Sequence, residues 1–278
     1  MTSLWAVVLG LVQGLAEFLP ISSTAHLKML PWIFNVREGF LYTTQFDIAL
    51  HAGSFVAILF ALWADWVRLL KGAAKRDRGS LRFIGFLLVT SIPGALFGVL
   101  FDDKVERLST PANPAMLASE TFRYAPLVVG VALMAFGVLL WAVDRFVGRN
   151  ESLAKMTWGK ALAVGVAQAF ALVPGVSRSG ATVTAGRALG FSRDDVARYS
   201  FMAALPIIGG AALFGLRHVP ASTLLSLDWV LGFLAAAISS FAAMRWMLGY
   251  VRNHSFGIFT VYRLAAGLLV IGLFFLRG

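Results

Sequence analysis

The chain has 278 residues, 59% hydrophobic and only 14% charged, with a mean hydropathy of +0.78. Soluble domains are nearer half apolar and a quarter charged, so an ordinary water-soluble fold and a disordered chain are both excluded. The absence of cysteine excludes a disulfide-stapled secreted fold, and the net charge of +10 is read as loop lysine and arginine that orient a membrane protein, with no nucleic-acid partner.

Apolar stretches long enough to cross about 30 Å of hydrocarbon recur along the chain. The first, 4–30, is broken by Pro20 and the polar run Ser22-Ser23-Thr24. Its opening stretch, Leu4 to Leu19, lacks a basic leader and a small-residue cleavage site, and is therefore not read as a removable signal. Plain spans are predicted at 46–64, 83–101 and 125–143. A second broken segment, 161–190, carries Pro174-Gly175 and Ser177-Arg178-Ser179-Gly180, and further spans are predicted at 198–216, 227–245 and 258–276. Irregular polar backbone at membrane depth is tolerated only inside protein or along a cavity, so each broken segment is predicted to be a re-entrant hairpin.

The two broken segments resemble each other. A shift of 155 positions lays Gly10 on Gly165, Gln13 on Gln168 and Ser22 on Ser177, and Ser54-Phe55-Val56-Ala57 echoes Ser200-Phe201-Met202-Ala203. The loop 65–82 is strongly basic (Arg68, Lys71, Lys75, Arg76, Arg78, Arg82) and predicted cytoplasmic, whereas 102–124, with Asp102, Asp103, Glu106 and Glu120, is predicted external. Counting from there puts both termini outside and opens the two hairpins to opposite sides. The expected fold is all-α: one polytopic membrane helix bundle over 1–278, an inverted-topology repeat of halves 1–101 and 161–245. It has two re-entrant helical hairpins plus about six spanning helices, and its site lies where the halves meet.

Chemistry concentrates in the hairpins. Gln13 and Glu17 share one helix face, a turn from the break at Pro20. An intramembrane carboxylate is a functional candidate by default, against the plainer reading that it bonds the broken backbone or a cation. Their oxygens suit Mg²⁺ or Ca²⁺, with water or substrate completing the shell. Ser22, Ser23 and Thr24 suit a helix N-cap, but three hydroxyls followed by His26 exceed what a cap requires. Ser23 and His26, about one turn apart, have the spacing of a nucleophile and its base. In the second hairpin, Ser177, Arg178, Ser179 and Thr182 beside Gly175 and Gly180 form the parts of an anion cradle at a helix start, where Arg178 can clamp phosphate oxygens.

Asp47 and His51, a turn apart, are read either as support for the site or as a helix-internal pair, and Gln168 is expected to bond between the hairpins. Arg187, Arg193 and Arg198 are read as a solvated basic loop. Phosphoryl transfer on a lipid-tailed substrate fits this constellation best. The rival from another class is a transporter or flippase of polyprenyl phosphate lipids, and an anion channel is disfavoured because an arginine clamp paired with a carboxylate would trap its ion.

The run Gln13-Gly14-Leu15-Ala16-Glu17-Phe18-Leu19-Pro20-Ile21-Ser22-Ser23-Thr24-Ala25-His26 resembles the first signature of the bacterial undecaprenyl-diphosphate phosphatases of the bacitracin-resistance type, and Pro174 to Thr182 resembles their second. The resemblance covers essentially the whole chain. It implies an integral enzyme of the bacterial plasma membrane that hydrolyses undecaprenyl diphosphate to the monophosphate at a site open to the external side. The product serves peptidoglycan and other envelope synthesis. The resemblance further implies catalysis by Ser23 and His26, phosphate binding by Arg178 with Ser177 and Ser179, and metal association of Gln13 and Glu17. The residues themselves add Glu17 and Arg178 to the expected catalytic set and Ser22, Thr24 and Thr182 to the expected phosphate-binding hydroxyls. Many relatives carry glutamate where Gln13 stands and glycine where Ala25 stands. Whether two copies assemble as a homodimer is left open.

Overall fold

The computed structural model describes residues 2–36, 38–109, 124–147 and 150–277, with backbone alone over 102–109. The first helix, α1 (Thr2–Phe18), stops just before Pro20, which has no N–H to continue the ladder and disfavours helical angles at the residue preceding it. After a short turn α2 (Ser23–Ile33) begins, capped by Ser22, whose hydroxyl accepts the Ala25 N–H. The helices α3 (Thr44–Ala61), α4 (Trp63–Ala74), α5 (Arg78–Ser109) and α6 (Ala125–Phe146) follow. The second break lies between α7 (Trp158–Ala169) and α8 (Arg178–Ala188), capped by Ser177 through the Gly180 N–H. The chain ends with α9 (Arg193–Leu216), a short α10 (Ala221–Leu224), α11 (Leu227–Tyr250) and α12 (Gly257–Arg277).

Six of these helices are long and apolar enough to cross a membrane: Thr44–Ala61, Arg78–Phe101, Ala125–Phe146, Arg193–Leu216, Leu227–Tyr250 and Gly257–Arg277. They coincide with the six predicted spans to within a few residues, and the fold is an all-α polytopic helix bundle. The two caps share one backbone geometry: Ser22 has φ 75° and ψ 95°, and Ser177 has φ 75° and ψ 118°. A non-glycine residue at positive φ costs about 1–3 kcal/mol and persists only where surrounding contacts over-determine it.

Close helix approach depends on small residues, as expected where lipid gives helices no hydrophobic reason to associate. Along the α1–α11 seam a side chain at Gly14 would come within 2.0 Å of Ser239 Oγ and 2.5 Å of the Ala236 carbonyl. That seam holds the face carrying Gln13 and Glu17 against the bundle interior.

Several loop readings change. Most of the first half of the predicted loop 65–82 belongs to the helix α4, whose Asp65 faces inward and accepts from Arg198 Nη1 at 2.6 Å. Arg187 is not solvated: it is buried, with Nε 3.0 Å from Asp144 Oδ1 and further bonds to the Asn150 side chain and the Phe191 carbonyl. Asp144 also accepts from Arg193 Nε at 2.8 Å and from the Phe256 N–H at 3.0 Å. A buried carboxylate needs such partners, and these arginines supply them. At the other end of the bundle Thr2 donates to Glu38, Ser3 to Asp228, and Arg277 to the carbonyls of Trp32 and Ile33. The side chains of Asp102, Asp103, Lys104, Glu106 and Arg107, together with Glu120, Arg123 and Arg149, on which part of the charge argument rests, lie outside the described residues.

Candidate active site

The break after α1 and the break before α8 touch. The Gly175 N–H donates to Ser22 Oγ at 3.2 Å, and Ser179 Oγ donates to the Leu19 carbonyl at 3.0 Å. Each cap serine region is thus tied to the backbone of the opposite turn. Arg263 of α12 completes the junction. Its buried guanidinium donates to the carbonyls of Pro20 at 3.0 Å, Gly175 at 2.7 Å, Val176 at 3.1 Å and Leu133 at 2.9 Å. Carbonyls freed by the two breaks are satisfied by one side chain, which is how the strained turns survive. A Cβ at Gly180 would lie 3.0 Å from Arg263 Nη1, closer than side chains ordinarily pack.

Glu17 is the centre of a second network. Its Oε1 lies 3.0 Å from Arg178 Nη2, and its Oε2 accepts from Ser23 Oγ at 2.6 Å and from Gln13 Nε2 at 3.2 Å. Arg178 also donates through Nη1 to the Ser200 carbonyl at 3.0 Å. Two atoms are left over: Gln13 Oε1, a buried acceptor, and Arg178 Nε, a buried donor, have no hydrogen-bond partner. Buried polar groups are rarely orphaned without a reason, and here one of each sign flanks the same carboxylate.

The serine and histidine of the first turn part company. Ser23 addresses Glu17, whereas His26 places Nδ1 2.7 Å from the Ser22 carbonyl and Nε2 2.6 Å from the Tyr262 hydroxyl. No hydrogen bond joins Ser23 to His26 in this arrangement. Ser22 Oγ and Thr24 Oγ1 stand 3.2 Å apart, as do Ser177 Oγ and Ser179 Oγ. Thr182 turns back to the Arg178 and Ser179 carbonyls and meets Ser200 Oγ at 2.5 Å, so it braces the start of α8.

Comparison with known proteins bears on this geometry. The family profile described as "Bacitracin resistance protein BacA" matches residues 6–269. The chain belongs to the BacA family. Among its relatives is the undecaprenyl-diphosphatase of Desulforudis audaxviator, 41% identical over 98% of both chains. Those of Moorella thermoacetica, 40% identical over 100% of both, and Pelotomaculum thermopropionicum, 39% identical over 98% of this chain and 96% of the relative, are similar at full length.

In this BacA-family chain the first signature, Gln13 to His26, and the second, Pro174 to Thr182, meet in space, as the sequence motifs suggested. Sequence reasoning missed Arg263, Tyr262 and Ser200. A signal for Arg263 was available, because an arginine inside an apolar span is costly unless it serves something. Gln168 does not bond between the hairpins; it donates to the Thr90 carbonyl of α5 at 3.0 Å, in the helix that contains Pro93. His51 bonds through Nδ1 to the backbone carbonyl of Asp47 at 2.8 Å.

Proposed function

We propose that this chain is an undecaprenyl-diphosphatase: it hydrolyses undecaprenyl diphosphate to undecaprenyl phosphate and inorganic phosphate. This returns the lipid carrier to peptidoglycan and other envelope synthesis and confers resistance to bacitracin. The observation that carries the reading is the identity of about two residues in five with undecaprenyl-diphosphatases across nearly the whole chain. The site adds a mechanism that such a hydrolysis needs.

Arg178 is the phosphate clamp. Its Nε has no protein partner and its Nη2 already holds Glu17, so an incoming phosphate oxygen completes the guanidinium. Glu17 cancels the charge of Arg178, but among the described residues no carboxylate pairs with Arg263, which leaves the junction electropositive for a diphosphate. Ser23 is the nucleophile: its hydroxyl already points its proton at Glu17 Oε2. In the first step the Ser23 Oγ–phosphorus bond forms, the bridging phosphorus–oxygen bond breaks, undecaprenyl phosphate leaves, and the proton passes to Glu17. Water then attacks the phosphoserine and gives its proton to His26, while Glu17 returns a proton to the departing Ser23 oxygen. Ser22, Thr24, Ser177 and Ser179 line the phosphate positions, and Thr182 holds α8 in place.

A divalent cation, Mg²⁺ or Ca²⁺, fits the donor set, because the orphaned Gln13 Oε1 and the Glu17 carboxylate are hard oxygens on one helix face. Bound there with diphosphate oxygens, it would neutralise charge on the transferring phosphate. The architecture is an inverted repeat of halves 1–101 and 161–245, two re-entrant hairpins meeting within one bundle. The shared φ of 75° at Ser22 and Ser177, residues 155 positions apart, supports that reading. The protein is multi-pass in the bacterial plasma membrane, and the site opens to the external side.

Phosphate release from undecaprenyl diphosphate by the purified protein in detergent, where nothing can be transported, is the deciding measurement. Release that depends on Glu17 and Arg178 is expected. A protein that moves the lipid in vesicles but frees no phosphate in detergent would establish the flippase instead.

A further inference from the structure

His26 has two nitrogens with different fates. Nδ1 lies 2.7 Å from the Ser22 carbonyl, which can only accept, so Nδ1 carries the proton. The basic nitrogen of the neutral ring is therefore Nε2, and it faces Tyr262, whose hydroxyl is 2.6 Å away. The two rings are also stacked, with centroids 5.6 Å apart and planes 17° from parallel. Tyr262 sits next to Arg263, whose guanidinium is fastened to the carbonyls of Pro20, Gly175 and Val176. The register of α12 at this point is accordingly fixed to the two turns of the site. Tyr262 itself is 44% exposed, whereas Arg263 is fully buried.

We propose that Tyr262 is a positioning residue for the hydrolysis. Its ring and hydroxyl hold the His26 imidazole in one orientation, while the Ser22 carbonyl on Nδ1 leaves Nε2 as the basic nitrogen. The hydroxyl occupies the place that a reacting oxygen takes when Nε2 is used. Holding the ring in advance removes the need to order it during the reaction, and the exposed tyrosine can yield Nε2 for the loss of one hydrogen bond. The proposal rests on the reading that His26 takes part in hydrolysis.

Tyr262→Phe keeps the ring stack and removes the hydroxyl. In the purified protein it is expected to lower kcat about tenfold, the weight of one hydrogen bond, with KM nearly unchanged. It should also move the limb of the pH–rate profile that His26 governs. Nitrogen-15 spectra of histidine-labelled protein, with the His26 signal identified by its loss in His26→Ala, should show a protonated Nδ1 in both proteins and an Nε2 resonance displaced in Tyr262→Phe, where the hydroxyl no longer bonds to it. The variant His26→Ala/Tyr262→Phe should be no slower than His26→Ala alone. If Tyr262→Phe does not yield folded protein, Tyr262→Leu at the same exposed position serves for the same three readouts, with a larger loss expected. Parent-like kcat, pH profile and Nε2 resonance in the folded variant would overturn the proposal. Full turnover by His26→Ala would instead remove His26 from the site, a different failure.

Discussion

Glu17 holds three partners at once, and each predicts a different phenotype. Glu17→Gln keeps the size of the side chain but cannot take a proton from Ser23, and kcat should fall at least about a hundredfold, measured as phosphate release. Arg178→Lys keeps the charge but loses the planar fork that spans Glu17, the Ser200 carbonyl and the free Nε position. A comparable fall is expected, and near-normal turnover by either variant would sink the assignment. Rapid-quench labelling should recover phosphate on Ser23; no covalent adduct would point to direct attack by water. Gln13→Glu adds a negative charge and should lower the Mg²⁺ concentration for half-maximal rate about tenfold, at the cost of a second carboxylate beside Glu17.

At the scale of elements, the site depends on two helix breaks being held against each other. Arg263→Met removes the guanidinium donors from the carbonyls of Pro20, Gly175 and Val176 at the two breaks. Each buried carbonyl left without a partner costs about 1–3 kcal/mol, so a clear drop in the thermal unfolding midpoint in detergent is expected along with lost activity. The α1–α11 seam makes a separate prediction. Gly14→Val would drive a side chain into Ser239 and the Ala236 backbone, and about 1–3 kcal/mol of destabilisation should follow, seen as a lower unfolding midpoint. An unchanged midpoint would mean that the seam opens without penalty.

The whole chain lacks cysteine, which makes its orientation directly addressable. A single cysteine at Glu38, on the end of the bundle that holds Thr2 and Asp228, should react with a membrane-impermeant thiol reagent on intact cells. One at Lys75, beyond α4, should react only after lysis. The opposite pattern would invert the predicted topology. The site's position between the two breaks would be unaffected, because it rests on contacts within the bundle.

Much of this was readable from the chain alone. Hydrophobic length determines where helices span, since lipid admits no other plain solution for the backbone, and the six spans emerged with nearly correct limits. Polar residues inside apolar runs are costly, so Gln13, Glu17, Ser23, His26 and Arg178 announced themselves. What tertiary structure alone decided was pairing. A sequence places His26 one turn from Ser23, but the bend at Ser22 sends Ser23 to Glu17 and His26 to Tyr262, a residue 236 positions away. Arg187 reads as a loop charge in the sequence, and only the packed fold sets Asp144 of another helix against it. Local spacing determines which residues share a helix face; which face meets which depends on the break angles and on the small-residue seams, and these exist only once the helices have packed.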